Sequence, residues 1–169
     1  MPADYLHIDW PEAEADAREL VRLALAEDLA SGHDMTTEAV VPADREGRAR
    51  VVARESGIVC GLPIGPLVRT EAEARFDWSP AIADGDRFEA GACLATIAGP
   101  ARELLTCERT LLNFIGRLSG VATQARRYAD AAGNTDAEIY DTRKTTPGWR
   151  RLEKYAVACG GGRNHRTGL

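Results

Sequence analysis

Apolar and polar positions along this chain change period several times, and each change predicts an element. Residues Pro11 to Leu29 begin with acids in the first turn and continue with Leu20, Leu23 and Leu25 among small alanines, which predicts an amphipathic helix closed by Ser31-Gly32-His33-Asp34. Thr36-Thr37 through Val40-Val41-Pro42 reads as a loop or short extended piece. Arg48 to Glu55 alternates as a strand, Ser56-Gly57 turns, and Ile58 to Leu62 is a second short apolar strand. Pro63 to Ala74 is helical. Short strands then follow around Arg75 to Trp78, Arg87 to Glu89 and Cys93 to Ala98, punctuated by glycines and by the hairpin turn Asp84-Gly85-Asp86. This first part is an α+β unit with a mostly antiparallel sheet.

The strongest helical pattern is Pro100 to Leu118, where Leu104, Cys107, Leu111, Phe114, Ile115 and Leu118 share one stripe. Ser119-Gly120 is expected to break it, with a separate helix from Val121 to Ala132. Ala137 to Asp141 reads as a strand, Thr142 to Gly148 as a loop, and the following residues as a helix ended by Gly160-Gly161-Gly162. Helix, strand and helix in that order resemble the opening of a β/α series.

Charge sharpens this picture. The net charge is −5, yet from Ile139 onward seven Lys or Arg face two acids, a local balance of +5 that leaves −10 on the rest of the chain. Arg143 and Lys144 follow directly on the apolar strand, where open-sheet and barrel enzymes keep their sites. Cations beside glycines suit an anionic small molecule: glycine lets backbone N–H groups approach phosphate or carboxylate, and arginine matches a carboxylate with two parallel hydrogen bonds. Nucleic acid is not expected as a partner, because the basic residues are confined to one end and are not interleaved with aromatics. Arg150, Arg151 and Lys154 are expected on the solvated face of the last helix. Of the 21 basic residues only Lys144 and Lys154 are lysines, both inside this cluster.

No apolar run approaches the ~18 residues of a membrane span, and the acidic N-terminus does not read as a signal or transit peptide, so a cytoplasmic location is expected. Cys60, Cys93, Cys107 and Cys159 are far apart in sequence and form no C-x-x-C pair, which favours buried free thiols over disulfides or zinc ligands. His7, His33 and His165 have no metal-ligand spacing.

Several stretches taken together are far more specific than any one of them. Glu108 to Phe114 with Leu118 to Thr123, then Asp141-Thr142-Arg143-Lys144-Thr145-Thr146-Pro147-Gly148, Leu152 to Val157, and Gly160-Gly161-Gly162 with Asn164-His165-Arg166 resemble the quinolinate phosphoribosyltransferase family, also called nicotinate-nucleotide pyrophosphorylase (carboxylating). The likeness runs from about Glu27 to Leu169 and departs at Ser31 to Asp34, one residue longer than the usual loop. It implies an α+β N-terminal sandwich, with its linking helix, over 1–115, and over 116–169 the start of an α/β (TIM-like) barrel, truncated relative to a family chain that continues for roughly another hundred residues. It also implies transfer of a phosphoribosyl group from phosphoribosyl pyrophosphate to quinolinate, giving nicotinate mononucleotide, pyrophosphate and CO₂ for NAD synthesis. The resemblance further implies a homodimer whose active sites are shared between subunits. Arg143, His165 and Arg166 are implied to hold the quinolinate carboxylates, Arg109 to reach in from the neighbouring subunit, and Lys144 to lie near the donor phosphates. The implied Mg²⁺ has its ligands beyond residue 169, so no metal ligand is expected in this chain. Two other readings compete: the related pyrophosphorylase-like protein of molybdate-transport systems, and an inactive fragment or dimerisation module.

Overall fold

The structure is a computed structural model and describes residues 7–29, 32, 34–133 and 135–166. Helix α1, Trp10–Asp28, starts in a capping box: Asp9 Oδ1 accepts the Glu12 N–H at 3.2 Å and Glu12 Oε2 accepts the Asp9 N–H at 3.2 Å. Such reciprocal satisfaction of end N–H groups is worth about 1 kcal/mol. Its buried face is Ala13, Ala17, Val21 and Leu25, a strict four-residue row; of the expected leucines Leu25 is buried and Leu20 packs half-buried against the core, while Leu23 is corrected, since it points to solvent. Small alanines let the helix approach its neighbours closely, and that outweighs burying one more leucine. The end of the expected closing loop, at Ser31 and His33, lies outside the described residues.

Met35–Val40 is a short helix, α2, where a loop or extended piece is expected. Its ends explain the difference. Asp34 accepts both the N–H and the hydroxyl of Thr37, at 3.0 and 2.5 Å, and Arg102 donates to the carbonyls of Glu38 and Val41 at 3.0 and 2.8 Å. Both sets of orphan backbone groups are therefore satisfied by side chains, one of them 61 residues away in sequence.

Strands β1 (Glu46–Val52), β3 (Asp77–Pro80) and β5 (Cys93–Pro100) form an antiparallel sheet in the order β1-β5-β3, and β2 (Gly57–Ile58) pairs antiparallel with β4 (Arg87–Phe88). The mostly antiparallel expectation is met, but β2 stops after two residues instead of continuing to Leu62. Its backbone donors turn to side chains: Ile58 N–H to Thr123 Oγ1, Cys60 N–H to Ser119 Oγ, and the Gly61 and Leu62 N–H groups to the carboxylate of Asp84. The Asp84 turn is thus more than a hairpin turn, and the strands on either side of it pair with other partners. Helix α3, Ile64–Glu71, buries Ile64, Leu67 and Val68.

Helix α4, Ala101–Ala132, runs for 32 residues without the break expected at Ser119-Gly120. Ser119 is spent on a tertiary contact, accepting the Cys60 N–H at 3.0 Å and donating to the Cys60 carbonyl at 3.2 Å, so its hydroxyl does not compete with the helix backbone. The ~1 kcal/mol cost of Gly120 is small beside the packing on either side. The expected stripe from Leu104 to Leu118 is buried throughout. One core cluster joins it to α1, α3, β5 and the last helix, α5 (Arg150–Cys159); a smaller one lies under Val59, Leu62, Leu94 and Ile115.

The expected strand at Ala137 to Asp141 shrinks to a parallel bridge between Tyr140 and Arg163, flanked by Asp141 N–H to Arg163 O at 3.0 Å and Arg163 N–H to Ile139 O at 2.8 Å. A strand of a parallel barrel pairs on both sides, and here one side alone is paired among the described residues. The connection is nonetheless of the β/α kind: Ile139 to Asp141, then α5, then Arg163 and Asn164 running parallel. Helix α5 docks on α4 through Gly160, where a Cβ would stand 2.3 Å from the Ala122 carbonyl oxygen. Gly160→Ala is expected to cost about 1–3 kcal/mol, because backbone rather than a flexible side chain must yield. Thermal unfolding followed by circular dichroism should show a drop of several degrees in Tm.

Candidate functional site

Two loops leave the same end of this parallel pair. Thr142 to Pro147 follows the first segment and carries Arg143 and Lys144; His165 and Arg166 follow the second. The C-terminal ends of parallel strands are where α/β folds hold ligands. Arg143 is half-buried and its Nε is buried with no hydrogen-bond partner among the described residues. A guanidinium N–H left unpaired out of water is unfavourable by roughly 1–3 kcal/mol, and an anion in the loop would relieve it. Lys144, His165 and Arg166 are exposed.

Asp141 is what brings the two loops together. Its Oδ1 accepts the His165 N–H at 2.8 Å and Lys154 Nζ at 2.6 Å, while Oδ2 accepts Asn164 Nδ2 at 2.9 Å. Lys154 also donates to the His165 carbonyl at 2.7 Å and is fully buried. Asn164 is buried too, giving Nδ2 to the Lys154 carbonyl at 2.8 Å and taking the Ile8 N–H at 2.8 Å on Oδ1. The expectation that Lys154 lies on the solvated face of α5 is therefore corrected. It sits on the inner face with Leu152 and Ala156 because a buried carboxylate is waiting there, and sequence periodicity does not reveal the partner. The available signal was composition, one of two lysines in a chain that otherwise uses arginine. Arg151 does face outward, and Arg150 is half-buried.

Arg109 stands apart from these loops. It projects from α4, 75% exposed, with its Nε 3.6 Å from Asp28 Oδ1. Two turns further along, Arg117 reaches the site's loop instead: it donates to Thr146 Oγ1 and to Glu153 Oε1 at 2.6 Å, and lies over the Trp149 ring, which stacks on Phe114. Eight residues of helix span ~12 Å, so Arg109 and Arg117 serve different surroundings.

Among the described residues no group of side chains fits Mg²⁺. That ion takes hard oxygen ligands, and the Asp141 carboxylate, besides accepting from Asn164 and His165, already has its charge met by the buried Lys154 ammonium at 2.6 Å. The other grouping of ligand-type side chains among the described residues, Cys60, Asp84 and Cys159, contributes two thiols. Burial pushes the Cys60 thiol well up, and the hydrogen bond from Cys60 draws the Cys159 thiol down. Burial, then the neighbouring Asp84, also raises the Tyr155 phenol, which stays a donor to Asp84 at 2.9 Å. A cleft of about 460 Å³ between β1 and α4, lined by Val52, Arg54, Leu112, Gly116 and Arg127 among others, contains none of the expected site residues.

An antiparallel α+β unit feeds a parallel β/α unit, and cations gather at its strand ends. Comparison with known proteins narrows this reading. The quinolinate phosphoribosyl transferase N-terminal domain matches residues 34–119 and the C-terminal domain of the same family matches 121–169. The nicotinate-nucleotide pyrophosphorylase (carboxylating) of Mycobacterium leprae is 45% identical over 155 residues, covering 90% of this chain and 55% of that protein. Quinolinate phosphoribosyltransferase (decarboxylating) 1b of Nicotiana tabacum is 40% identical over 156 residues, 91% of this chain and 43% of that one. Among solved structures, the nicotinate-nucleotide pyrophosphorylase from Francisella tularensis superposes with a TM-score of 0.91 at 36% identity, over 98% of this chain and 59% of that chain. The chain belongs to the quinolinate phosphoribosyltransferase family, and its fold is an α+β N-terminal sandwich followed by the start of the family's barrel. It spans about half the length of the curated relatives it matches. No described helix is long and apolar enough to cross a membrane.

Proposed function

We propose that this chain carries the quinolinate-binding part of an enzyme that transfers a phosphoribosyl group from phosphoribosyl pyrophosphate to quinolinate and decarboxylates the product. The observation that carries the reading is the half-buried Arg143, whose Nε lacks a partner among the described residues, on one of two strand-end loops that share the Asp141 anchor. Quinolinate has two adjacent carboxylates on a pyridine ring, and its recognition calls for cations at fixed angles rather than a nucleophile. Arg143, His165 and Arg166 hold the carboxylates, and Lys144 faces the donor phosphates.

With the ring held, its nitrogen lone pair forms the bond to the anomeric carbon as the bond to pyrophosphate breaks and that group leaves with its electrons. The nitrogen is now quaternary. The bond to the adjacent carboxylate then breaks to release CO₂, its electron pair stays on the ring carbon beside the positive nitrogen, and a proton from solvent completes nicotinate mononucleotide. No side chain need act as a general base.

Arg109 belongs to the site of a second subunit in this reading. It sits mid-face on α4 between the exposed Leu105 and Leu112, a surface suited to a second copy of the chain. The test is complementation in the full-length protein. Assayed at quinolinate well below the variants' raised KM, Arg109→Ala and Arg143→Ala are each expected to be nearly inactive alone, while mixed dimers regain about a quarter to half of wild-type turnover, because one site then holds both arginines. Nicotinate mononucleotide formed from quinolinate is the readout; absence of rescue in verified mixed dimers overturns the shared site.

A further inference from the structure

We propose that Cys60, Asp84 and Cys159 form a binding site for one thiophilic divalent cation of the zinc class. They come from three separate places: Cys60 just after β2, Asp84 in the turn before β4, and Cys159 in the last turn of α5. The fold nevertheless puts both sulfurs and a carboxylate oxygen within 4.8 Å of one another. Tetrahedral coordination at ~2.3 Å for Zn–S and ~2.0–2.2 Å for Zn–O places ligand atoms somewhat under 4 Å apart, so a contraction of up to about 1 Å, within reach of side-chain rotation, closes the site.

The carboxylate is set up for such a role. Asp84 Oδ2 accepts the Gly61 N–H at 2.7 Å and the Tyr155 hydroxyl at 2.9 Å, and Oδ1 accepts the Leu62 N–H at 3.0 Å. Two carboxylate oxygens offer about four lone-pair directions, so Oδ1 keeps one for a metal. Donors that orient a ligating carboxylate from behind are what metal sites use to fix their first ligands. Two thiolates select a soft cation over Mg²⁺ or Ca²⁺. Cys60 is fully buried, whereas Cys159 and Asp84 are half-buried and give the ion a way in. Uptake replaces the two thiol protons, which leave to solvent, and a solvent water supplies the fourth ligand. A bound ion ties the β2 and β4 region of the N-terminal unit to the end of the first barrel helix. This site is separate from Arg143 and its neighbours and stands or falls independently of the proposed activity.

The experiment is titration of the reduced, metal-free protein with Zn²⁺ against a chromophoric chelator, and with Co²⁺ to follow thiolate-to-cobalt charge-transfer absorption. One equivalent is expected, with the charge-transfer band. Zn²⁺ should protect Cys159 from alkylation in the unsubstituted protein, a readout that needs no variant to fold. Cys159→Ser should abolish the band, Tyr155→Phe should weaken affinity roughly 10- to 100-fold by freeing the carboxylate, and Cys93→Ser with Cys107→Ser should change neither. A protein that takes up no Co²⁺ under reducing conditions, or whose uptake survives Cys159→Ser, overturns the site.

Discussion

Arg143→Ala in the full-length protein is expected to lower kcat/KM for quinolinate by roughly 10²- to 10⁴-fold, with the change falling largely on KM. The magnitude follows from two charge-assisted hydrogen bonds to one carboxylate, each worth about 1.5–3 kcal/mol. No comparable loss of stability should accompany it. The Arg143 Nε has no partner among the described residues to lose, and the loop is held by Asp141, Lys154 and Asn164 rather than by Arg143. Arg143→Lys keeps the charge but not the planar fork, and should recover only part of the loss. Equilibrium binding of quinolinate and thermal unfolding on the same samples separate the two effects. Unchanged quinolinate binding in the alanine variant would show that this arginine does not hold the carboxylates.

Much of this arrangement is legible in the sequence because it depends on local pattern. The stripe from Leu104 to Leu118, the alternation of β1, and the crowding of cations after Asp141 are statements about neighbours in the chain. What escapes is long-range pairing. Ser119-Gly120 signals a helix end until Cys60 is found to occupy the serine hydroxyl, 59 residues away. Thr36-Thr37 reads as a loop or short extended piece until Arg102 caps the helix they form. Cys60 and Cys159 are separated by most of the chain, and only the fold brings them to Asp84. Arg109 shows the reverse: its sequence context is that of a surface arginine, and one subunit's structure leaves it on the surface.

Lys154→Met should be the most destabilising single change near the site, although it replaces one long unbranched side chain with another. In the wild type, Lys154 and Asp141 are 0% and 5% exposed and meet at 2.6 Å. Methionine fills most of the space but leaves the carboxylate buried without its cation and the His165 carbonyl without its donor. Breaking one side of such a pair costs about 3–5 kcal/mol, against a total stability of about 5–15 kcal/mol for a typical domain. Thermal unfolding should therefore fall by roughly 6–20 °C. Adding Asp141→Asn removes the stranded charge and keeps an oxygen for the His165 N–H, so the double variant should recover about 1–3 kcal/mol. The cycle identifies the cause: a double variant no more stable than Lys154→Met alone would place the loss in packing rather than in the buried charge. Activity of the full-length protein, measured below the lowered transition, carries a second consequence. His165 is held through both its N–H and its carbonyl by this ion pair, so loosening it should raise KM for quinolinate while the Arg143 contribution persists.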